Sequence, residues 1–130
     1  MREIKFRALK DDMSNYTWVY GYLTYAVNGV PRIQMPNILG LHTTCIKGTE
    51  GQFTGLYDKK RTEEFPNGQP IYEGDVVEWE DSINEEYYGG YITYPKEPVE
   101  FKGGAFYPVC MMPETEFEVI GNIHQNKELL

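Results

Sequence analysis

The chain has only two cysteines (Cys45 and Cys110), two serines (Ser14 and Ser82) and two histidines (His42 and His124). With so few, several chemistries lose their raw material. There is no Gly-x-Ser-x-Gly elbow, so serine-hydrolase chemistry is not supported. Gly48-Thr49-Glu50-Gly51 lacks the lysine and following hydroxyl of a phosphate-binding loop, and it precedes a strand pattern rather than a helix. Two cysteines cannot build a disulfide framework. With no charged-then-apolar segment at the amino terminus, they read as free thiols of a reducing cytoplasm. No apolar run approaches the roughly 20 residues that a membrane helix requires. No long stretch has helical amphipathic spacing either, so an all-helical fold is excluded.

The same scarce residues are the candidates for metal binding. His42, Cys45, Cys110 and His124 form a Cys2His2 set by type, which zinc accepts in tetrahedral geometry. Their spacing does not support it: His42 and Cys45 are three apart, which on a strand sends them to opposite faces. The reading is ordinary thiols and histidines, with no metal and no cofactor.

What the chain does have is aromatic side chains, 15% of its residues, eleven of them tyrosine. Tyrosine favours pleated, half-buried surfaces and tolerates water at its polar tip. At 130 residues the chain fits one domain, large enough to bury roughly two-thirds of its unfolded surface without staples. The net charge of −8 argues for solubility and against phosphate backbones and anionic membranes as partners.

Period-two alternation supplies the fold class. Ile4, Phe6 and Ala8 share one strand face and Glu3, Lys5 and Arg7 the other. From Tyr16 to Tyr25, Trp18, Tyr20 and Tyr22 line one face, with Val19, Leu23 and Tyr25 opposite. Asn28-Gly29 predicts a type I′ hairpin, and Pro31 makes the returning strand an edge or a late start. Further strands are expected over 41–46, 52–56, 76–80, 87–94, 99–102, 105–111 and 117–124, with turns at Glu73-Gly74-Asp75 and Gly103-Gly104 and one bracketed by Pro95 and Pro98. Residues 57–70 are a charged loop, 81–86 an acidic exposed one, and 125–130 a single helical turn. The expected fold is mainly β, with short antiparallel strands forming a small barrel.

Four segments carry a family resemblance: Arg2-Glu3-Ile4-Lys5-Phe6-Arg7-Ala8; Gly51-Gln52-Phe53-Thr54-Gly55-Leu56 with Asp58-Lys59; Ile71-Tyr72-Glu73-Gly74-Asp75-Val76-Val77; and Glu118-Val119-Ile120-Gly121-Asn122-Ile123, closing with Glu128-Leu129-Leu130. In this order they resemble the YopX family of small proteins encoded by bacteriophages and prophages. The resemblance implies a β-rich fold, SH3-like in the carboxyl-terminal part (about 51–130) with an amino-terminal β extension (about 1–50). It also implies self-association and a cytoplasmic setting in the host cell. It implies no agreed activity, so no catalytic residue is carried over. The longer loop over 60–70, and His124 and Lys127 near the end, depart from the family pattern. Gly55 and Gly74 read as points of chain reversal, Asp75 as an acceptor for backbone N–H groups, and Gly121 and Asn122 as structural members of the motif.

The function reading is a non-catalytic, self-associating protein-interaction module that binds a host or phage protein. Its candidate surface is Trp18, Tyr20, Tyr22, Tyr87, Tyr88 and Tyr91, because exposed aromatic residues favour interfaces. One alternative is a nucleic-acid role, by mimicry or through a basic patch of Arg2, Lys5, Arg7 and Arg61. Another is an enzyme assembled from His42, His124 and scattered carboxylates. The adjacent pairs Asp11-Asp12, Glu63-Glu64, Glu80-Asp81 and Glu85-Glu86 read as solvated faces.

Overall fold

A computed structural model describes residues 5–12, 17–35, 41–85, 89–113 and 116–129, with the backbone alone for 83–85. The protein is mainly β and its strand pairs are antiparallel. The chain divides into two compact units, residues 1–55 and 56–130.

In the first unit the strands are β1 (Phe6–Leu9), β2 (Trp18–Tyr25), β3 (Pro31–Gln34), β4 (His42–Thr44) and β5 (Gly51–Tyr57), side by side in the order β4-β3-β2-β1-β5. β5 runs on past the division. The register puts Ala8 opposite Val19, Leu23 opposite Ile33, and bridges Lys10 to Cys45. Alternation therefore collects Ala8, Val19, Ile33 and Cys45 into a buried cluster, with Phe6, Leu23 and Met35 packed on it. Pro31 opens β3, a place where its missing N–H is tolerated.

The β2–β3 hairpin differs from the expected type I′ turn. Gly29 has φ +83°, but no described residue other than glycine has positive φ, so Asn28 is not in the left-handed region. The loop is longer: Gly29 N–H bonds Ala26 C=O, Ala26 N–H bonds Val30 C=O, and the Asn28 side chain accepts from Val30 N–H. This is a type I turn followed by a glycine bulge, and it too puts asparagine before glycine.

The second unit begins with the end of β5. There β6 (Pro70–Tyr72) lies alongside, and Asp58 N–H bonds Gln69 C=O. β7 (Asp75–Trp79) is the centre of a three-stranded sheet between β10 (Lys96–Pro98) and β13 (Phe117–Asn122). β8 (Asp81–Glu85) and β9 (Gly89–Thr93) form one hairpin, β11 (Glu100–Lys102) and β12 (Ala105–Tyr107) another, and a 3-10 turn covers Lys127–Leu129. Gly103 and Gly104 both have positive φ, as a two-residue turn between Lys102 and Ala105 requires. Ile71, Val77, Val99, Phe106, Val109 and Phe117 form this unit's core, with Trp79 set edge-on to Phe117.

The described buried apolar residues form one cluster in each unit. Two expectations change. The sheets stay open, so the barrel expected for the carboxyl-terminal part is a three-stranded sheet with two hairpins. The acidic stretch 81–85 and the proline-bracketed stretch 96–98 are strands, because hairpin and sheet pairing outweighs their weak intrinsic preference.

Short strands leave backbone N–H groups without a ladder partner, and buried side chains take them up. Asp58 is only 1% exposed; its Oδ1 accepts from Gln69 N–H at 2.8 Å and its Oδ2 from Val119 N–H at 3.0 Å. Asp75, 2% exposed, accepts from Tyr72 N–H at 2.8 Å. Removing the Asp58 carboxylate strands both donors in a dry site, so Asp58→Ala should cost about 3 kcal/mol. Asp58→Asn keeps one acceptor oxygen and should cost less. Urea unfolding of both variants checks the order; equal midpoints for Asp58→Ala and wild type would contradict it.

Candidate functional site: an aromatic and cationic sheet face

The face of the first unit's sheet opposite the Ala8–Val19–Ile33–Cys45 cluster buries Leu9 and Arg7 at β1 and exposes aromatic and polar side chains further along. Register gives it three cross-strand rows: Arg7 beside Tyr20; Tyr22, Gln34 and His42; and Thr24, Arg32 and Thr44. Lys5 adds its ammonium 5.5 Å from the Tyr20 ring centroid, and the Arg7 guanidinium stacks 4.0 Å from the Trp18 centroid. Arg7 itself is buried, whereas Tyr20 is 40% and Tyr22 56% exposed. No carboxylate occupies a position on this face among the described strand residues of the unit.

The charge of the protein is divided in the same way. Residues 1–55 hold six Lys or Arg against four Asp or Glu, and residues 56–130 hold six against sixteen. The first unit is thus mildly basic and the second strongly acidic.

The predicted surface residues separate accordingly. Trp18, Tyr20 and Tyr22 do come together on one face. Tyr87 and Tyr88 lie outside the described residues, as do Tyr16 and Arg2. Tyr91 belongs to the second unit, on β9, where it is 49% exposed and its neighbour Ile92 53%. Successive strand residues point to opposite sides, so both faces of the β8–β9 ribbon are open to solvent at this point. The basic patch imagined around Arg7 and Arg61 is redistributed: Arg7 lies under Trp18, and Arg61 donates to Asp58 C=O at 2.7 Å in the second unit. Arg32, which sequence reading missed, joins the face instead. Its position opposite Thr24 was readable only once the hairpin loop length was known.

The motif residues have structural roles. Gly74, at φ +93°, turns the chain between β6 and β7. Gly55 also has positive φ but sits inside β5 and reverses nothing, because the strand runs on to Tyr57. A side chain on Gly121 would meet Leu129 Cδ1 at 2.6 Å and Asn126 Oδ1 at 2.7 Å. Asn122 Oδ1 accepts from the N–H groups of His124 and Gln125, and Asn126 Oδ1 accepts from Asn122 N–H. The terminal turn is thereby fastened to the end of β13.

The scarce reactive residues are dispersed. His42 is exposed on β4, Cys45 is buried in the first core, Cys110 is exposed, and His124 lies half-buried beside Gly74. Among the described residues, no three His, Cys, Asp or Glu side chains are placed to hold a metal ion. An open hollow of about 540 Å³ in the second unit is lined by Lys60, Glu63, Glu64, Phe65, Gln69 and Val119. Neither histidine lines it, and its lysine faces Glu118 at 3.6 Å.

A family model described as YopX protein matches residues 5–130, nearly the whole chain. The chain belongs to the YopX family. No curated protein and no solved structure matches it. Among the described residues, no helix is long and apolar enough to cross a membrane. The match takes in Lys5–Ala8 of the first motif segment and the whole of the other three, which hold the fasteners Asp58, Asp75 and Asn122.

Burial, the largest effect, pushes the Cys45 thiol above its ordinary value of 9.0; a backbone hydrogen bond from Ile33 opposes this, and Glu50 and Asp11 add to it. The folded state therefore holds the Cys45 proton more tightly than the unfolded chain. Its contribution to stability is complete below the unfolded pKa and is lost as pH rises through the folded value. A maleimide probe at pH 8 should label Cys110 quickly and Cys45 only after denaturant is added. Rapid labelling of both thiols in the native protein would contradict this placement.

Proposed function

We propose that this YopX-family protein is a non-catalytic interaction module that self-associates, serving a phage or prophage in the host cytoplasm. The observation that carries the self-association is the β8–β9 ribbon. A two-stranded hairpin is marginal on its own in water, yet here Tyr91 and Ile92 leave opposite faces of it half-exposed. The same unit also exposes Tyr94, Phe101, Tyr107 and Met111. A partner copy covering such a ribbon would bury apolar area that the isolated unit leaves wet, and about 800 Å² per partner is the usual scale of a stable interface.

Support for a non-catalytic role comes from how the candidates are spent. Asp58, Asp75 and Asn122, three of the buried polar residues of the motifs, accept backbone hydrogen bonds. The hollow beside Glu63 and Glu64 brings neither histidine to those carboxylates. A host or phage protein is the expected further partner.

Light scattering coupled to size exclusion, across a wide concentration range, tests the reading. Wild type should run as a stable oligomer, and Ile92→Asp should shift it toward monomer with an unchanged β spectrum. A wild-type monomer at every concentration would overturn it.

A further inference from the structure

We infer that the outer face of the first unit binds single-stranded nucleic acid, by stacking bases on Tyr20 and Tyr22 and pairing phosphates with Lys5 and Arg32. The net charge of the whole chain argues against such a ligand, but that average conceals the division of charge. The unit that carries this face has more Lys and Arg than Asp and Glu, and the acidic excess lies wholly in residues 56–130. On the face itself the described strand positions hold tyrosine, tryptophan, arginine, threonine, glutamine, histidine and the buried Leu9, with Lys5 just ahead of β1 and no carboxylate among them.

Three features favour a nucleic acid strand over an acidic polypeptide. First, exposed rings and cations interleave: Lys5 stands over Tyr20, and the Tyr22 row is followed by the Arg32 row. Rings on a pleated surface with adjacent cations are the elements by which proteins hold unpaired bases and their backbone. A carboxylate-bearing peptide would use the cations but leave the rings without a matching flat partner. Second, Tyr20 and Tyr22 are alternate residues of one strand, so their attachment points are about 6.7 Å apart. That is roughly twice the rise of a stacked duplex strand, and it suits bases splayed from an extended single strand. Third, the Nε of Arg32 is buried without a hydrogen-bond partner, while its residue is partly exposed between Thr24 and Thr44. A phosphate arriving at this row would offer acceptor oxygens to the partly exposed side chain, beside its buried Nε.

Fluorescence anisotropy with the full chain and a short labelled mixed-sequence oligonucleotide, as DNA and as RNA, tests the proposal. Both single strands should bind saturably at low salt, and the same sequence as a duplex at least about tenfold more weakly. With two phosphate-facing cations, the logarithm of the binding constant should fall against the logarithm of salt with a slope of about −1.4. Tyr20→Ala with Tyr22→Ala should weaken binding at least about tenfold, and the matching pair of Phe substitutions should retain it. Arg32→Gln should make the salt slope shallower by about 0.7. Because both tyrosines are exposed, the paired variant should keep the wild-type circular dichroism. No saturable binding, equal binding by the Ala pair, or equal binding of the duplex would overturn the proposal. Polyglutamate of matched charge binding as tightly as the oligonucleotide would overturn it too, and would assign the face to acidic proteins.

Discussion

The structure depends on side-chain acceptors that take over where short strands run out of ladder. Its strands span three to eight residues, so many backbone donors fall at ends, turns and crossings. A buried N–H left without a partner costs on the order of 1–3 kcal/mol, and several such losses would consume the whole stability of a small domain. Asp58 holds Gln69 and Val119, Asp75 holds Tyr72, Thr49 holds Leu9, and Asn122 holds His124 and Gln125. Asp58 links segments 61 positions apart and Thr49 links segments 40 apart. Each thereby replaces a strand pairing that the sequence is too short to build.

This constraint also explains the kind of site the protein carries. Its buried carboxylates, Asp58 and Asp75, accept from backbone N–H groups. Binding is left to surfaces, and the two units offer different ones. The first presents rings and cations on a sheet whose opposite side is a packed core. The second presents an apolar ribbon and most of the acidic charge. A single net charge describes neither.

Much of the fold was legible because alternation is a local signal. It placed Trp18, Tyr20 and Tyr22 on one face and Val19 and Leu23 on the other, and it separated His42 from Cys45. Turn chemistry, also local, marked Asp75 as an acceptor for backbone N–H groups. Features set by pairing partners were not legible. Asp81–Glu85 looks like a solvated loop until β9 lies beside it, and Lys96–Pro98 looks like a turn until β7 does. Asn28-Gly29 suited two turn types, and only the bonds of Ala26 decide between them. Asp58 sat in a run of charges and looked exposed, since its partner Val119 is remote in sequence. The face gained Arg32 for the same reason: its neighbours depend on hairpin register, which a one-residue change in the loop would reverse.

Native-state hydrogen exchange at the amides of Gln69, Tyr72 and Val119 tests the central claim most directly. The account predicts protection comparable to that of central β7 amides, lost together at Gln69 and Val119 when Asp58 is replaced by alanine. Exchange of these amides at the rate of exposed loops in the wild-type protein would contradict it.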